Sequence, residues 1–117
     1  MPAKKILVVD DEKEWCYFLK EYLTRRGYSV DTADDGLKAK DLLAKQAYDC
    51  VFFDCNMPGL TGVELIKVIQ EKSPQAKKIM ISGYDLINED FAKGLGVDIF
   101  LRKPFSLESI QEAIENA

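Results

Sequence analysis

The sequence predicts an α/β domain on a parallel five-stranded sheet, doubly wound with helices on both faces, and two observations carry that prediction. Short apolar runs alternate along the whole chain with longer stretches of helical period, the order expected of repeated β/α units. Three of the runs are unbroken, as strands are when helices cover both of their faces. The 117 residues fit the usual size of one domain, so residues 1–117 are expected to form a single unit.

Each element has its own signal. Ile6-Leu7-Val8-Val9 is the first central strand. Trp15, Cys16, Leu19, Tyr22 and Leu23 then form one helical stripe, which Gly27 can end in the left-handed conformation. Tyr28–Ala33 alternates apolar with polar and predicts a half-exposed edge strand. Ala39, Leu42 and Leu43 mark a second helix, and Cys50-Val51-Phe52-Phe53 is the next central strand. Leu65, Ile66 and Ile69 mark a third helix, stopped by Ser73-Pro74. Ile79-Met80-Ile81 is the last central strand; Ile87, Phe91 and Leu95 predict a short fourth helix ahead of Gly96. Val97–Leu101 carries an internal Asp98 suited to the opposite edge. Ser106 can cap a final helix with Glu108 in its first turn, burying Leu107, Ile110 and Ile114. No stop signal precedes Ala117, so either the last turn frays or the chain was cut from something longer.

Composition narrows the function. Hydrophobic residues at 47% and charged residues at 31% suit a packed core under a charged shell. A net charge of -4 without a basic block argues against binding nucleic acid directly. Histidine is absent, which removes the Ser/His/Asp triad, the Cys/His dyad, His metal ligation and phosphohistidine formation on these residues. Cys16, Cys50 and Cys55 lack the short paired spacing of zinc or redox motifs, so a reducing, cytoplasmic setting is expected. No apolar run approaches the roughly 20 residues of a membrane helix, and Met1-Pro2-Ala3-Lys4-Lys5 leads directly into a strand.

In open parallel sheets the functional crevice lies beyond the carboxyl ends of the strands. There the sequence places Asp10-Asp11-Glu12 after strand one, Asp54 at the end of strand three, Ser82-Gly83 after strand four and Arg102-Lys103-Pro104 after strand five. Asp10, Asp11 and Asp54 in one small volume would repel one another unless a cation neutralised them. With only oxygen ligands on offer, that cation would be Mg²⁺, with Mn²⁺ as the alternative. A hydroxyl and a lysine on the same rim complete a phosphoryl pocket. Each residue also has a plain structural reading: Asp10 and Asp11 as helix caps, the Asp54–Gly59 stretch as a turn, Ser82 as a turn residue and Lys103 as a solvated charge. Their coincidence at one end of successive strands favours the site.

Val8-Val9-Asp10-Asp11, Asp54-x-x-Met57-Pro58-Gly59, Ser82-Gly83 and Lys103-Pro104-Phe105 together resemble the receiver domains of two-component response regulators, the CheY-like family. The resemblance implies a flavodoxin-like fold with sheet order 2-1-3-4-5. It implies that Asp54 is the phosphoacceptor, charged by a sensor histidine kinase, a histidine phosphotransfer protein or a small phosphodonor. Asp11 and Asp54 would bind Mg²⁺ directly with the Asn56 backbone carbonyl, and Asp10 through water. Ser82 and Lys103 would hold the phosphoryl oxygens, Ser82 and Phe100 would form the switch, and Asn56 and Tyr84 would tune dephosphorylation. The output surface for a downstream effector domain or protein would be helix four, strand five and helix five, with a homodimer on activation left open.

This sequence departs from the family where Ser82 replaces the more usual Thr and Phe100 the more usual Tyr. Cys55 follows the acceptor directly and is expected to be a small, neutral residue. By the same analogy the Lys103-Pro104 bond is cis, which only an X-Pro bond allows at low cost. A haloacid-dehalogenase-type phosphohydrolase would need an Asp where Asn56 stands. A flavin or nucleotide site would be repelled by Asp10-Asp11-Glu12. The remaining alternative is a receiver-like module that acts without phosphorylation.

Overall fold

A computed structural model of the chain describes residues 4–54, 62–82, 89–103 and 106–115. The elements follow in strict alternation: β1 (Lys5–Val9), α1 (Lys13–Arg25), β2 (Ser29–Ala33), α2 (Gly36–Lys45), β3 (Cys50–Asp54), α3 (Gly62–Lys72), β4 (Lys77–Ser82), α4 (Glu89–Gly94), β5 (Ile99–Arg102) and α5 (Leu107–Glu115). All strand pairs are parallel and the order across the sheet is β2-β1-β3-β4-β5. Thus β1, β3 and β4, the unbroken apolar runs, are the central strands, and β2 and β5 are the edges.

Alternate residues of each central strand feed two separate cores, as a pleated strand requires. Leu7, Val9, Val51, Phe53 and Met80 pack with Ala39 and Leu43 of α2 and Leu65, Ile66 and Ile69 of α3. Ile6, Val8, Cys50, Phe52, Ile79 and Ile81 pack instead with Cys16, Leu19 and Leu23 of α1 and Ile110, Ala113 and Ile114 of α5. The two-sided burial of β1 and β3 makes their carboxyl ends rigid mounts.

Helix termini follow the sequence signals closely. Gly27 adopts φ 93° beyond α1, with Tyr28 N–H donating to the Leu23 carbonyl at 3.1 Å and Gly27 N–H to the Thr24 carbonyl at 3.0 Å. That pair of bonds is the Schellman arrangement. Ser106 caps α5 by accepting from Ser109 N–H at 3.1 Å. Asp35 caps α2 through Lys38 N–H at 2.8 Å, a signal the sequence reading passed over.

Three expectations need correcting. Phe91 is exposed and its neighbour Ala92 is the buried residue of α4, because a small side chain lets this short helix lie close to the sheet. Leu107 is half-buried, at the start of α5. Tyr28 and Val97-Asp98 precede β2 and β5 instead of belonging to them. Ile87 lies outside the described residues. Among the described residues no helix is long and apolar enough to cross a membrane.

Candidate functional site

β1 delivers Asp10 and β3 delivers Asp54 to the same end of the sheet, because the two strands pair in parallel, Val9 beside Phe53. Both carboxylates are buried. Lys103 follows β5, and its Nζ lies 3.0 Å from Asp54 Oδ2, where it donates a hydrogen bond, and 3.5 Å from Asp10 Oδ2. A third carboxylate reaches the same ammonium, Glu12 Oε1 at 3.3 Å.

The electrostatics follow from this crowding. Burial pushes the Asp10 carboxyl above its ordinary value, partly offset by the N–H of Glu12 and the charge of Lys103. For Lys103, burial alone would favour the neutral amine. The hydrogen bond to Asp54 and the charges of Asp10, Asp54 and Glu12 outweigh it and raise the ammonium above its usual range. Three carboxylates on one ammonium leave net negative charge at the strand ends.

Asp10 is not a helix cap. Its Oδ1 accepts from Glu12 N–H at 3.0 Å, whereas the N-cap of α1 is Glu12, whose side chain makes no capping bond. Asp10 Oδ2 is a buried oxygen without a hydrogen-bond partner. A buried carboxylate oxygen left this way suits a cation or a cation-bound water. Asp11 is exposed and makes no ion pair or side-chain hydrogen bond among the described residues. Among those residues no three carboxyl groups converge at metal-binding spacing. Asp10, Asp11 and Asp54, expected from the sequence in one small volume, are thus not gathered at that spacing: Asp11 is exposed while Asp10 and Asp54 are buried.

Ser82 ends β4, fully buried, and its carbonyl accepts from Lys103 N–H at 2.8 Å. Phe100 sits on β5 opposite Met80, half-buried, with the Arg102 guanidinium 5.5 Å from its ring centroid. Phe100 also lines a groove of about 380 Å³ between α4, β5 and α5, with Lys93, Asp98, Leu101, Ser109 and Glu112. Asn56 and Tyr84 lie outside the described residues, as do Cys55, Gly83 and Pro104, and with Pro104 the Lys103-Pro104 bond expected to be cis. Sequence reasoning had Glu12 only as the third acid of a run and gave it no contact with Lys103.

The family description "Response regulator receiver domain" matches residues 6–115. The chain belongs to the response regulator receiver domain family. This receiver domain is 32% identical over 118 residues to sporulation initiation phosphotransferase F of Bacillus subtilis, covering 98% of this chain and 94% of that protein. It is 38% identical over 112 residues to the response regulator MprA of a Mycobacterium species, covering 94% of this chain and 48% of MprA. The receiver domain therefore spans about half the length of that relative.

Among solved structures it resembles the Thermotoga maritima response regulator TrrA in complex with Mg²⁺ and BeF, with TM-score 0.84, 34% identity and 97% of each chain covered. It also resembles a Burkholderia pseudomallei response regulator holding a phosphorylated aspartic acid, a calcium ion and citrate, with TM-score 0.85, 29% identity, and 95% of this chain and 66% of that one covered. Both of those structures hold a divalent cation. Receiver domains of two-component response regulators thus supply the fold, the sheet order and the functional class of this chain. Nothing among these relatives favours a module that works without phosphorylation.

Proposed function

We propose that Asp54 is the phosphoacceptor of this receiver domain and that Ser82 and Lys103 hold the transferred group. The observation that carries this is the Lys103 ammonium 3.0 Å from the buried Asp54 carboxylate at the end of a central strand. An Asp54 oxygen attacks phosphorus, the bond from phosphorus to the donor nitrogen or oxygen breaks, and its electron pair leaves with the donor. Lys103 keeps the nucleophile oriented and then follows the new charge, since a phosphoryl group brings about two negative charges and three acceptor oxygens.

Asp10, Asp11, Asp54 and the Asn56 carbonyl are the residues that would hold Mg²⁺. The bound cation supplies charge neutralisation at the phosphoryl oxygens. Asp10 Oδ2, buried and lacking a hydrogen-bond partner, supports this assignment. Ser82 donates its hydroxyl to one phosphoryl oxygen; Phe100 reports the change by moving within the α4, β5 and α5 face. That face is the output surface for an effector domain or protein. The donor is a histidine kinase or histidine phosphotransfer protein, and Asn56 and Tyr84 are the residues that would tune dephosphorylation. The buried free thiols of Cys16 and Cys50 support a cytoplasmic setting.

Intact mass after incubation with Mg²⁺ and phosphoramidate tests the reading. One phosphoryl adduct is expected, absent in Asp54→Ala and absent with EDTA. An adduct that survives in Asp54→Ala would move the acceptor elsewhere.

A further inference from the structure

We propose that Glu12 selects phosphodonors by charge at the mouth of the site. The proposal rests on Asp54 being the acceptor. Three features point to it. Glu12 is 67% exposed while Asp10 and Asp54 are buried, so of the acids that reach Lys103 it is the one an incoming donor meets first. It occupies the N-cap of α1 without making a capping hydrogen bond, so the helix does not use its carboxylate. That carboxylate instead lies 3.3 Å from Lys103 Nζ, the same ammonium that holds Asp54.

A donor draws Lys103 towards its phosphoryl oxygens, and Glu12 is then left as an uncompensated negative charge beside the reacting centre. It repels a dianionic donor more than one whose leaving nitrogen carries a proton. With phosphoramidate, Asp54 displaces ammonia: the P–N bond breaks, its electron pair stays on the protonated nitrogen, and the aspartyl phosphate forms. With acetyl phosphate the P–O bond breaks and acetate leaves, but the donor arrives with an additional negative charge. Glu12 therefore favours the P–N donors, the class to which a phosphohistidine belongs.

The test compares wild type with Glu12→Gln, which keeps the shape and removes the charge at an exposed position that caps nothing. Adduct formation is timed with each donor at saturating Mg²⁺, with Asp54→Ala alongside. One unit charge acting across about 4 Å of water is worth about 1 kcal/mol, so the ratio of phosphoramidate to acetyl phosphate rates is expected to fall roughly fivefold in Glu12→Gln. The difference should shrink to less than about twofold in about 1 M salt, where the screening length is about 3 Å. An unchanged ratio, or an equal acceleration with both donors, overturns the role of Glu12. Labelling that persists in Asp54→Ala would instead overturn the acceptor assignment on which it rests.

Discussion

The N–H of Lys103 donates to the carbonyl of Ser82 at 2.8 Å, so the two side chains assigned to the phosphoryl group spring from strand ends that are bonded to each other. Neither can shift far without the other. Phe100 lies on β5, three residues before Lys103, which follows that strand, and this gives the pair a mechanical route to the α4, β5 and α5 face.

That route predicts a coupled response. Activation with Mg²⁺ and beryllofluoride should move the aromatic NMR resonances of Phe100 in wild type. Ser82→Ala should shrink that change while leaving metal binding within about twofold. Phe100 resonances that stay in place on activation of the wild type would disprove the switch.

Lys103 also has a structural duty, because it is the cation shared by Asp10, Glu12 and Asp54. Lys103→Ala should lower stability by about 1–2 kcal/mol in the absence of divalent ions, less than for a fully buried pair because the lysine is partly exposed. Mg²⁺ should restore most of the loss. Urea melts with and without Mg²⁺ measure both effects, and a loss that Mg²⁺ leaves untouched would contradict the shared-cation account.

The thiols give a pH signature at the alkaline end. Burial raises Cys16 and Cys50 from an ordinary 9.0 to about 11, so between those values the unfolded chain loses protons that the folded protein retains. Stability contributed by the neutral thiols is complete below pH 9 and declines as the pH rises towards 11. The decline should be about 1 kcal/mol per thiol by pH 10. Cys50→Ala should show a shallower alkaline loss in urea melts, and an identical slope would rule this out.

A polar latch ties β2 to the turn before β3. Tyr48 OH donates to Asp31 Oδ2 at 2.7 Å, and Gln46 Nε2 reaches the same oxygen at 2.7 Å. Tyr48 is almost fully buried, so Tyr48→Phe removes a donor to a charged acceptor and should cost about 1–3 kcal/mol. Thermal melts beside Asp31→Asn check this; if both variants keep wild-type stability, the latch carries no load.

What the sequence made legible was whatever depends on period and position. Unbroken runs identified β1, β3 and β4 as central, and the polar residues after them marked one end of the sheet. Less legible was anything that depends on distant partners. Lys78 stands in an ordinary Lys-Lys pair, yet it is buried and pairs with Asp98 at 3.5 Å across the β4 and β5 boundary. Phe91 outweighs Ala92 in any count of hydrophobicity, but close approach of α4 to the sheet favours the smaller residue. The latch joins Asp31, Gln46 and Tyr48 across a helix, and no local pattern announces it. Glu12 escaped notice because its partner lies 91 residues away.

The sheet order also governs how the protein is made. β3 pairs with β1 on one side and with β4 on the other. While the chain is being synthesised, the Cys50–Asp54 segment can dock on β1 as soon as it emerges, but its second flank has no partner until Lys77–Ser82 follows. At roughly 5–20 residues per second, that flank stands open for seconds as an apolar edge. Such an edge is a template for pairing with another chain. Nascent chains stalled between β3 and β4 should be the stage at which this receiver domain most needs a chaperone.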